Sequence, residues 1–383
     1  MSGEAPRRRR RVAVVTGTRA EYGLLTSTLD AMERHPRLTP QLVVTGIHLL
    51  RAFGYTIQDI ERDGRRIAGR IPMQKGDDDP LDQARGLARG IRGMAEFLEG
   101  AETDIVVVLG DRVEAMAGAL AAVSTGRILA HIHGGDLAPG DFDEGFRHAI
   151  TKLAHIHFPA TRGARRRILQ MGEQPERVFV VGAPGLDDIL AVRKGVRRSA
   201  EPTGRAVVLF HPCGRAASRE RRTMRVILRA VSAKGLSPTI LYPNTDRGHS
   251  GIVSAIGEFA GKAGDGRVEV YRSLPREAFL RLLLASDVLV GNSSSGIIEA
   301  PALGVPSVNI GLRQEGRERG GASVIEAEET EESVGRGIRR ALRRRPITSR
   351  TSVYGRGGSG KRIARILAET KLGDDLRRKV SEF

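Results

Sequence analysis

The sequence predicts an α/β protein of two doubly wound, Rossmann-like parallel sheets with a cleft between them. Three observations predict it. The first half repeats an apolar strand, a polar turn and an amphipathic helix. That alternation breaks into a charged stretch, 192–204 (VRKGVRRSAEPTG), and then restarts. Polar residues gather at strand ends, where open α/β sheets place their ligands.

The elements are expected as follows. Strands of the first half run over Val12–Thr16, Gln41–Thr45, Asp104–Leu109 and Arg127–Ile132, with shorter ones near Ile156–Pro159 and Val178–Val181. Helices run over Tyr22–Arg34, Leu81–Leu98, Val113–Ser124 and Asp143–Ala154. In the second half, strands run over Ala206–Phe210, Thr239–Tyr242, Val268–Tyr271, Val288–Val290 and Ser307–Ile310. Its helices run over Arg219–Ala233, Ile252–Lys262, Arg276–Ala285, Gly296–Leu303 and Glu332–Arg343, and Gly360–Leu372 adds a last one. This divides the chain into a basic tail (1–11), an N-terminal domain (12–190), a C-terminal domain (200–352) and a closing segment (353–383).

The stretch Asp287–Arg319 organises the second half. The apolar run Val288–Val290 ends at Gly291, and Asn292, Ser293, Ser294 and Ser295 follow, all residues that favour helix N-caps. Gly296 permits close backbone approach before the next helix. A strand, a polar turn and a helix N-terminus suit a phosphate. Glu299, one turn further on, suits a sugar diol. An ordinary capped helix remains the alternative reading of this stretch by itself.

Composition narrows the class. With 383 residues and 40% hydrophobic content, the chain is long enough for two large cores. Its single cysteine, Cys213, forms no intrachain disulfide framework and fits a reducing, cytoplasmic compartment. No apolar run has the length of a membrane span, and the segment after the N-terminal arginines is too short for a secretory signal, so no membrane role is expected. The net charge of +17 is spread over the whole chain and aromatic residues are scarce, so nucleic acid is not the expected partner. An anionic small substrate uses the charge better.

Several motifs carry candidate chemistry. GTRAEYG (17–23) places Arg19 after the first strand, where it could reach an anion across the cleft, with Glu21 as a helix N-terminal carboxylate. GDRVEA (110–115) places Asp111 and Arg112 after a buried strand. HIHGGDLAPGDFDEGFRH (131–148) is the densest polar cluster. His131 and His133 alternate and should share one face of a strand. Asp136, Asp141, Asp143 and Glu144 follow in a Gly-rich loop, then Arg147 and His148. With His155 and His157 the cluster could hold a metal, though its spacing matches no familiar ligand pattern. Acid/base chemistry by Asp111, His133, Asp136 and Asp143 is the other functional reading. FHPCGR puts His211 at a strand end, and YPNTDRG puts Asn244 and Asp246 at the next. GRGGSGKR (355–362) nearly matches a P-loop, but Arg362 stands where Ser or Thr is needed and no buried strand precedes it. It is read as the lead-in to the last helix.

In the same order, GTRAEYG, GDRVEA, the HIHGGD…DEGFRHAITKLAH block, FHP, YPNTDRG, GNSSSGIIEAPALGVPSVNIGLRQ and YGRGGSGKRI resemble the hydrolysing UDP-N-acetylglucosamine 2-epimerases of sialic- and nonulosonic-acid pathways. The resemblance implies a GT-B fold with a C-terminal helix returning to the first domain. It implies a UDP-sugar substrate, a homodimer or homotetramer, and neither metal nor cofactor. Ser293 and Ser294 would hold the diphosphate, Glu299 the ribose and Arg313 the phosphates. His211 and Asn244 would lie along the nucleotide sugar, and Arg19 and His48 would contribute from the first domain. Asp111 and Asp143 match acid/base positions. Many members read HIEGGE where this chain reads HIHGGD, so His133 replaces a catalytic Glu and Asp136 is one methylene shorter. Members related to legionaminic-acid synthesis also carry His there. The implied reaction converts UDP-N-acetylglucosamine to UDP and N-acetylmannosamine through 2-acetamidoglucal. Another nucleotide hexosamine, a non-hydrolysing epimerase and an inactive nucleotide-sugar-binding regulator stay open.

Overall fold

A computed structural model describes residues 8–77, 79–138, 144–189, 192, 201–262, 268–320, 322–344 and 353–380. The N-terminal half runs β1 (Arg10–Thr16), α1 (Arg19–Glu33), β2 (Leu38–Thr45), α2 (Ile57–Arg62), β3 (Ile67–Ile71), α3 (Pro80–Gly100), β4 (Ile105–Leu109), α4 (Val113–Ser124), β5 (Ile128–Ile132), α5 (Glu144–Leu153), β6 (Ile156–Phe158) and α6 (Arg162–Gln170). The C-terminal half runs β7 (Arg205–Leu209), α7 (Ala217–Ser232), β8 (Ser237–Leu241), α8 (His249–Lys262), β9 (Glu269–Tyr271), α9 (Arg276–Leu284), β10 (Val288–Gly291), α10 (Glu299–Leu303), β11 (Ser307–Ile310), β12 (Val324–Ala327) and α11 (Glu331–Arg343). Then come α12 (Ser359–Glu369) and α13 (Asp374–Arg377).

Each half holds one six-stranded sheet, ordered β3-β2-β1-β4-β5-β6 and β12-β11-β10-β7-β8-β9. The registered strand pairs are parallel. β4 and β5 are buried at every residue, because helices cover both faces of each sheet. Strand order reverses at β1/β4 in the first sheet and at β7/β10 in the second. A crevice opens outside the carboxyl ends at such a switch point. Gly17–Arg19 and Gly110–Arg112 follow the first pair of strands, and His211 and Asn292–Ser295 follow the second. The fold therefore aims four of the sequence motifs at the same places.

The structure differs from the expected elements at the sheet edges. β3 and β12 were not expected, since short, half-exposed edge strands give a weak apolar signal. Val178–Val181 forms no strand; only Val178 bridges to His157. Arg10 and Arg11 open β1 instead of ending a solvated tail, and the Arg11 N–H donates to Asp104 at 2.8 Å. Ala183, Leu186, Ile189 and Val192 pack into the core of the second sheet, so the passage between the halves begins before residue 190. No helix among the described residues is long and apolar enough to cross a membrane.

α12 returns to the N-terminal half. Ile363, Ala364, Leu367 and Ala368 join the core that contains Val12, Leu25 and Leu29. Arg10 Nη1 donates to the Leu367 carbonyl at 2.5 Å. A Cβ on Gly360 would lie 2.5 Å from the Ser27 carbonyl oxygen, so the two helix backbones touch there. The N–H groups of Ser359 and Gly360 donate to the Asp187 carboxylate at 2.9 and 2.8 Å. That cap occupies the amides of the P-loop-like segment. Ile363→Ala should cost about 2–4 kcal/mol of stability, as an unfilled cavity in the N-terminal core does. Urea unfolding followed by circular dichroism checks it.

Candidate active site

On the C-terminal wall, the turn after β10 is fixed by backbone contact. Gly291 has φ +150°, and a Cβ there would lie 1.9 Å from the Leu209 carbonyl oxygen. Asn292 follows, fully buried. Its Oδ1 accepts from the His211 N–H at 2.7 Å and its Nδ2 donates to the His211 carbonyl at 2.8 Å. Asn292 thus clamps the end of β7 to the end of β10, a structural role in place of the expected substrate contact. The His211 Nδ1 accepts from the Asn244 N–H at 3.1 Å, which leaves the ring proton on Nε2. Burial, then the charges of Arg313 and Arg112, hold His211 neutral, well below its ordinary range. A neutral Nε2–H in a partly open cleft is a donor for an anion.

The helix after the serines differs from expectation. Ser293 is buried and caps a 3-10 turn, Ser294–Gly296, by accepting from the Ser295 N–H at 3.3 Å. α10 begins only at Glu299. Pro301 has no N–H for the Ile297 carbonyl, and Ser307 Oγ donates to the Gly296 carbonyl at 2.5 Å, so the helix cannot extend back to Gly296. Ser294 and Ser295 stay partly exposed, and the first residues of such a turn leave N–H groups unused by the turn itself. Glu299 is buried and paired with Arg276 Nη1 at 2.9 Å. Arg276 in turn lines a cavity of about 470 Å³ with Arg19, Tyr22, Asp59 and Asp188. Arg313 reaches the Asn292 carbonyl at 3.4 Å from the partly exposed β11–β12 loop.

On the N-terminal wall, Asp111 pairs with Arg147, and Arg147 also pairs with Glu144. Arg147 is fully buried, so it braces Asp111 and is not an open substrate ligand. Burial, with Arg317, Arg313 and Arg167 nearby, disfavours its charge. An anion in the cleft would relieve that crowding of cations. His131 and His133 do not share a face. β5 ends at Ile132, and His133 takes φ +64°. For a residue with a Cβ this is a strained conformation, about 1–3 kcal/mol. His131 is fully buried between the Gly110 carbonyl (2.7 Å) and Thr151 Oγ1 (3.2 Å), and burial pushes it down to about 3. It is a neutral strut that holds the turn bearing Asp111. His133 turns instead to Asp136, Nδ1 to Oδ2 3.1 Å. Burial works against ionising Asp136, but the His133 hydrogen bond and the charges of Arg317 and Arg167 outweigh it, and its carboxyl lies below the ordinary value. Asp141 and Asp143 lie outside the described residues.

Other sequence candidates fall elsewhere. His48 is fully buried, between Thr16 Oγ1 (3.3 Å) and Thr56 Oγ1 (2.8 Å), and burial pushes it down to about 3. Both ring nitrogens are engaged within the protein, so it supports the turn after β2. Asp246 is buried and joined across the cleft to Arg112 Nη1 at 3.0 Å. Arg112 also holds the buried Glu114 at 3.2 Å. These two residues tie the walls together. Asn244 donates to Asp246. Arg19 spans the cleft from Asp59 to Ser273 Oγ, the latter at 3.3 Å. His155 Nδ1 accepts from the Leu129 N–H at 3.0 Å, and His157 Nε2 lies 3.0 Å from Glu173. The described residues contain no group of three or more His, Cys, Asp or Glu arranged for a metal. Arg317, Arg167 and Arg276 were missed by sequence reasoning. Arg317 had a visible signal, a charged residue beside Gly316 in the loop after β11.

Similarity to known proteins identifies the family and the fold. Residues 30–368 match the family model described as UDP-N-acetylglucosamine 2-epimerase. The chain is 33% identical over 381 residues (98% of its length, 100% of the relative's) to a protein of Legionella pneumophila named UDP-N,N'-diacetylbacillosamine 2-epimerase (hydrolyzing). It is 32% identical over 320 residues (81% and 82%) to a UDP-N-acetylglucosamine 2-epimerase of Neisseria meningitidis. A crystal structure of the Methanocaldococcus jannaschii UDP-GlcNAc 2-epimerase with UDP-GlcNAc and UDP superposes with a TM-score of 0.78 at 18% identity, covering 94% of this chain and all of that one.

Glu21 gives a stability prediction. It is buried and accepts from the Gly17 N–H at 2.7 Å. Burial, with Glu114 adding to it, pushes its carboxyl up from 4.5 to about 8. It is therefore a protonated acid at neutral pH, not a charge serving the α1 dipole. The folded chain holds a proton that the unfolded chain releases, so this stability is complete below 4.5 and is lost as pH rises through about 8. Glu21→Gln keeps the acceptor without the proton. Melting curves between about pH 5 and pH 9 should show the variant gaining on the wild type as pH rises; a constant difference contradicts the assignment.

Proposed function

The chain belongs to the UDP-N-acetylglucosamine 2-epimerase family and has its GT-B fold, and from that premise we propose that it is a hydrolysing nucleotide-sugar 2-epimerase. It takes a UDP-linked 2-acetamido hexose, releases UDP, and returns the free sugar inverted at C2. The observation that carries this reading is the pairing of two unlike walls at the two switch points. One offers anion donors: His211 Nε2–H, the turn of Ser293–Ser295, and Arg313. The other offers proton-transfer groups: Asp111, and His133 oriented by Asp136.

The reaction needs both. A base removes the C2 proton while the C1–O bond breaks on the opposite face, and UDP departs with the bonding electrons. This gives 2-acetamidoglucal. Water then adds its oxygen to C1, and a proton returns to C2 from the other face, giving N-acetylmannosamine when the substrate is UDP-N-acetylglucosamine. Charge that develops on the departing diphosphate meets donors already in place, which stabilises the transition state. Glu299 accepts the ribose hydroxyls once Arg276 gives way, and the cavity lined by Arg276 and Arg19 takes the nucleoside side. Asp111, His133, Asp136 and Asp143 share the acid and base steps.

A second reading concerns the sugar. The Legionella relative, matched along both full lengths, is named for a diacetamido substrate, UDP-N,N'-diacetylbacillosamine. The same machinery serves either sugar, because the reacting C1, C2 and acetamido groups are common to both. Incubating the protein with UDP-N-acetylglucosamine and with the diacetamido analogue in heavy water, followed by NMR, tests both readings. Free sugar carrying deuterium at C2 is the expected product; a UDP-linked epimer or no product contradicts hydrolysis. Asp111→Asn should lower turnover by about 10²–10⁴-fold while the Kd for UDP moves less than about threefold. Stopped assays and calorimetry check that split.

A further inference from the structure

We infer that Arg317, carried on the β11–β12 loop of the C-terminal half, is a positioning residue for the His133–Asp136 pair on the opposite wall, so that this pair is complete only when the two halves meet. The inference rests on the reading of the cleft as a proton-transfer site.

Arg317 Nη2 lies 4.0 Å from Asp136 Oδ2, the same oxygen that His133 Nδ1 approaches at 3.1 Å. Arg317 is the cation that the opposite half brings to this carboxylate. The loop that delivers it is held tightly against the N-terminal half. Gly316 has φ +80°, and a Cβ there would lie 2.9 Å from the Leu137 Cβ, immediately after Asp136. Glu318 bonds Thr161 Oγ1, and Gly163 leaves room for its carboxylate. Tyr354 Oη donates to the Glu318 carbonyl at 2.8 Å, and Arg319 Nη1 donates to the Arg317 carbonyl at 2.8 Å. Arg317 therefore has little freedom to leave Asp136 while the halves are in contact.

The chemistry gives this contact a purpose. A neutral His133 that donates Nδ1–H to an ionised Asp136 presents an unprotonated Nε2. An Asp136 that swung away from the ring would release the imidazole to carry its proton on Nε2 instead. Arg317 holds the Asp136 carboxylate against His133 Nδ1 and with it the tautomer that can accept a proton. The other groups around Asp136 are Arg167 from α6, Arg147, which donates to its carbonyl at 3.3 Å, and His131, Tyr354 and Glu318 nearby. Of the two cations that act on its carboxylate alongside His133, Arg317 alone comes from the opposite half. Substrate that holds the walls together thereby also sets the base.

The test compares Arg317→Met and Arg317→Lys with the wild type. For Arg317→Met, kcat should fall by about tenfold to a hundredfold, with KM and the Kd for UDP within about threefold. The acid limb of its kcat profile should move up by about one pH unit, since Asp136 loses a cation that favours ionisation. Arg317→Lys should keep the limb and recover most of the turnover. Spectra of 15N-histidine protein with UDP bound should place the His133 proton on Nδ1 in the wild type and divide it between Nδ1 and Nε2 in Arg317→Met, where Asp136 is no longer held against the ring. Wild-type turnover and tautomer in Arg317→Met overturn the inference. So does a loss of UDP affinity parallel to kcat in both variants, which is what a merely structural role gives. If the wild type turns over no nucleotide sugar, the proposed reaction fails, whereas the tautomer comparison still decides what Arg317 does.

Discussion

The clamp between Asn292 and His211 is the contact on which the C-terminal wall depends. One buried amide side chain satisfies both the N–H and the carbonyl of His211. That fixes the end of β7 against the end of β10, where Gly291 already lies too close to Leu209 for any side chain. With the two strand ends locked, His211 keeps one ring nitrogen on the Asn244 N–H and turns the other to the cleft. The serines of the following turn, and Arg313 through the Asn292 carbonyl, take their positions from the same residue. A buried amide with both functions satisfied costs little and specifies one geometry.

Charge is distributed by the same logic. Arg112, Arg147, Arg167, Arg313 and Arg317 converge on the cleft, but most of their partners are acids that also do something else. Asp111 and Asp136 are proposed for chemistry, and Asp246 and Glu318 join the walls. Buried charges are tolerated when paired, and removing one partner is costly. The cleft thus keeps a cationic surplus whose members crowd one another, and Arg147 registers it as a disfavoured charge. The diphosphate of the proposed substrate would supply the missing anion.

The doubly wound halves were legible because buried parallel strands such as β4 and β5 read as plain apolar runs. Strand-end motifs bring Asp111, His211 and Ser294 to the two switch points for the same topological reason. What the sequence concealed was the direction of side chains. His131 and His133 look alike by spacing, yet the strand ends between them, so one became a strut and the other faces Asp136. His48 and Arg147 look like ligands until burial closes around them. Pro301 hid a late helix start inside an apparently ordinary helical run. Arg317 and Arg276 stood in view among many arginines, and only the fold shows which ones reach across.

The return of α12 to the N-terminal half means that the chain passes between the two cores twice, once at Val181–Ala183 and once between Tyr354 and α12. A single tether would let one half swivel freely about it. Two crossings remove most of that freedom, because they lie side by side, the Ala183 N–H donating to the Tyr354 carbonyl at 2.8 Å, and act as one stiff hinge. Opening and closing should therefore resemble a door on two pins more than a ball in a socket. Arg317 and Asp136 lie beside Tyr354 at the second crossing, so their contact would move least as the halves part.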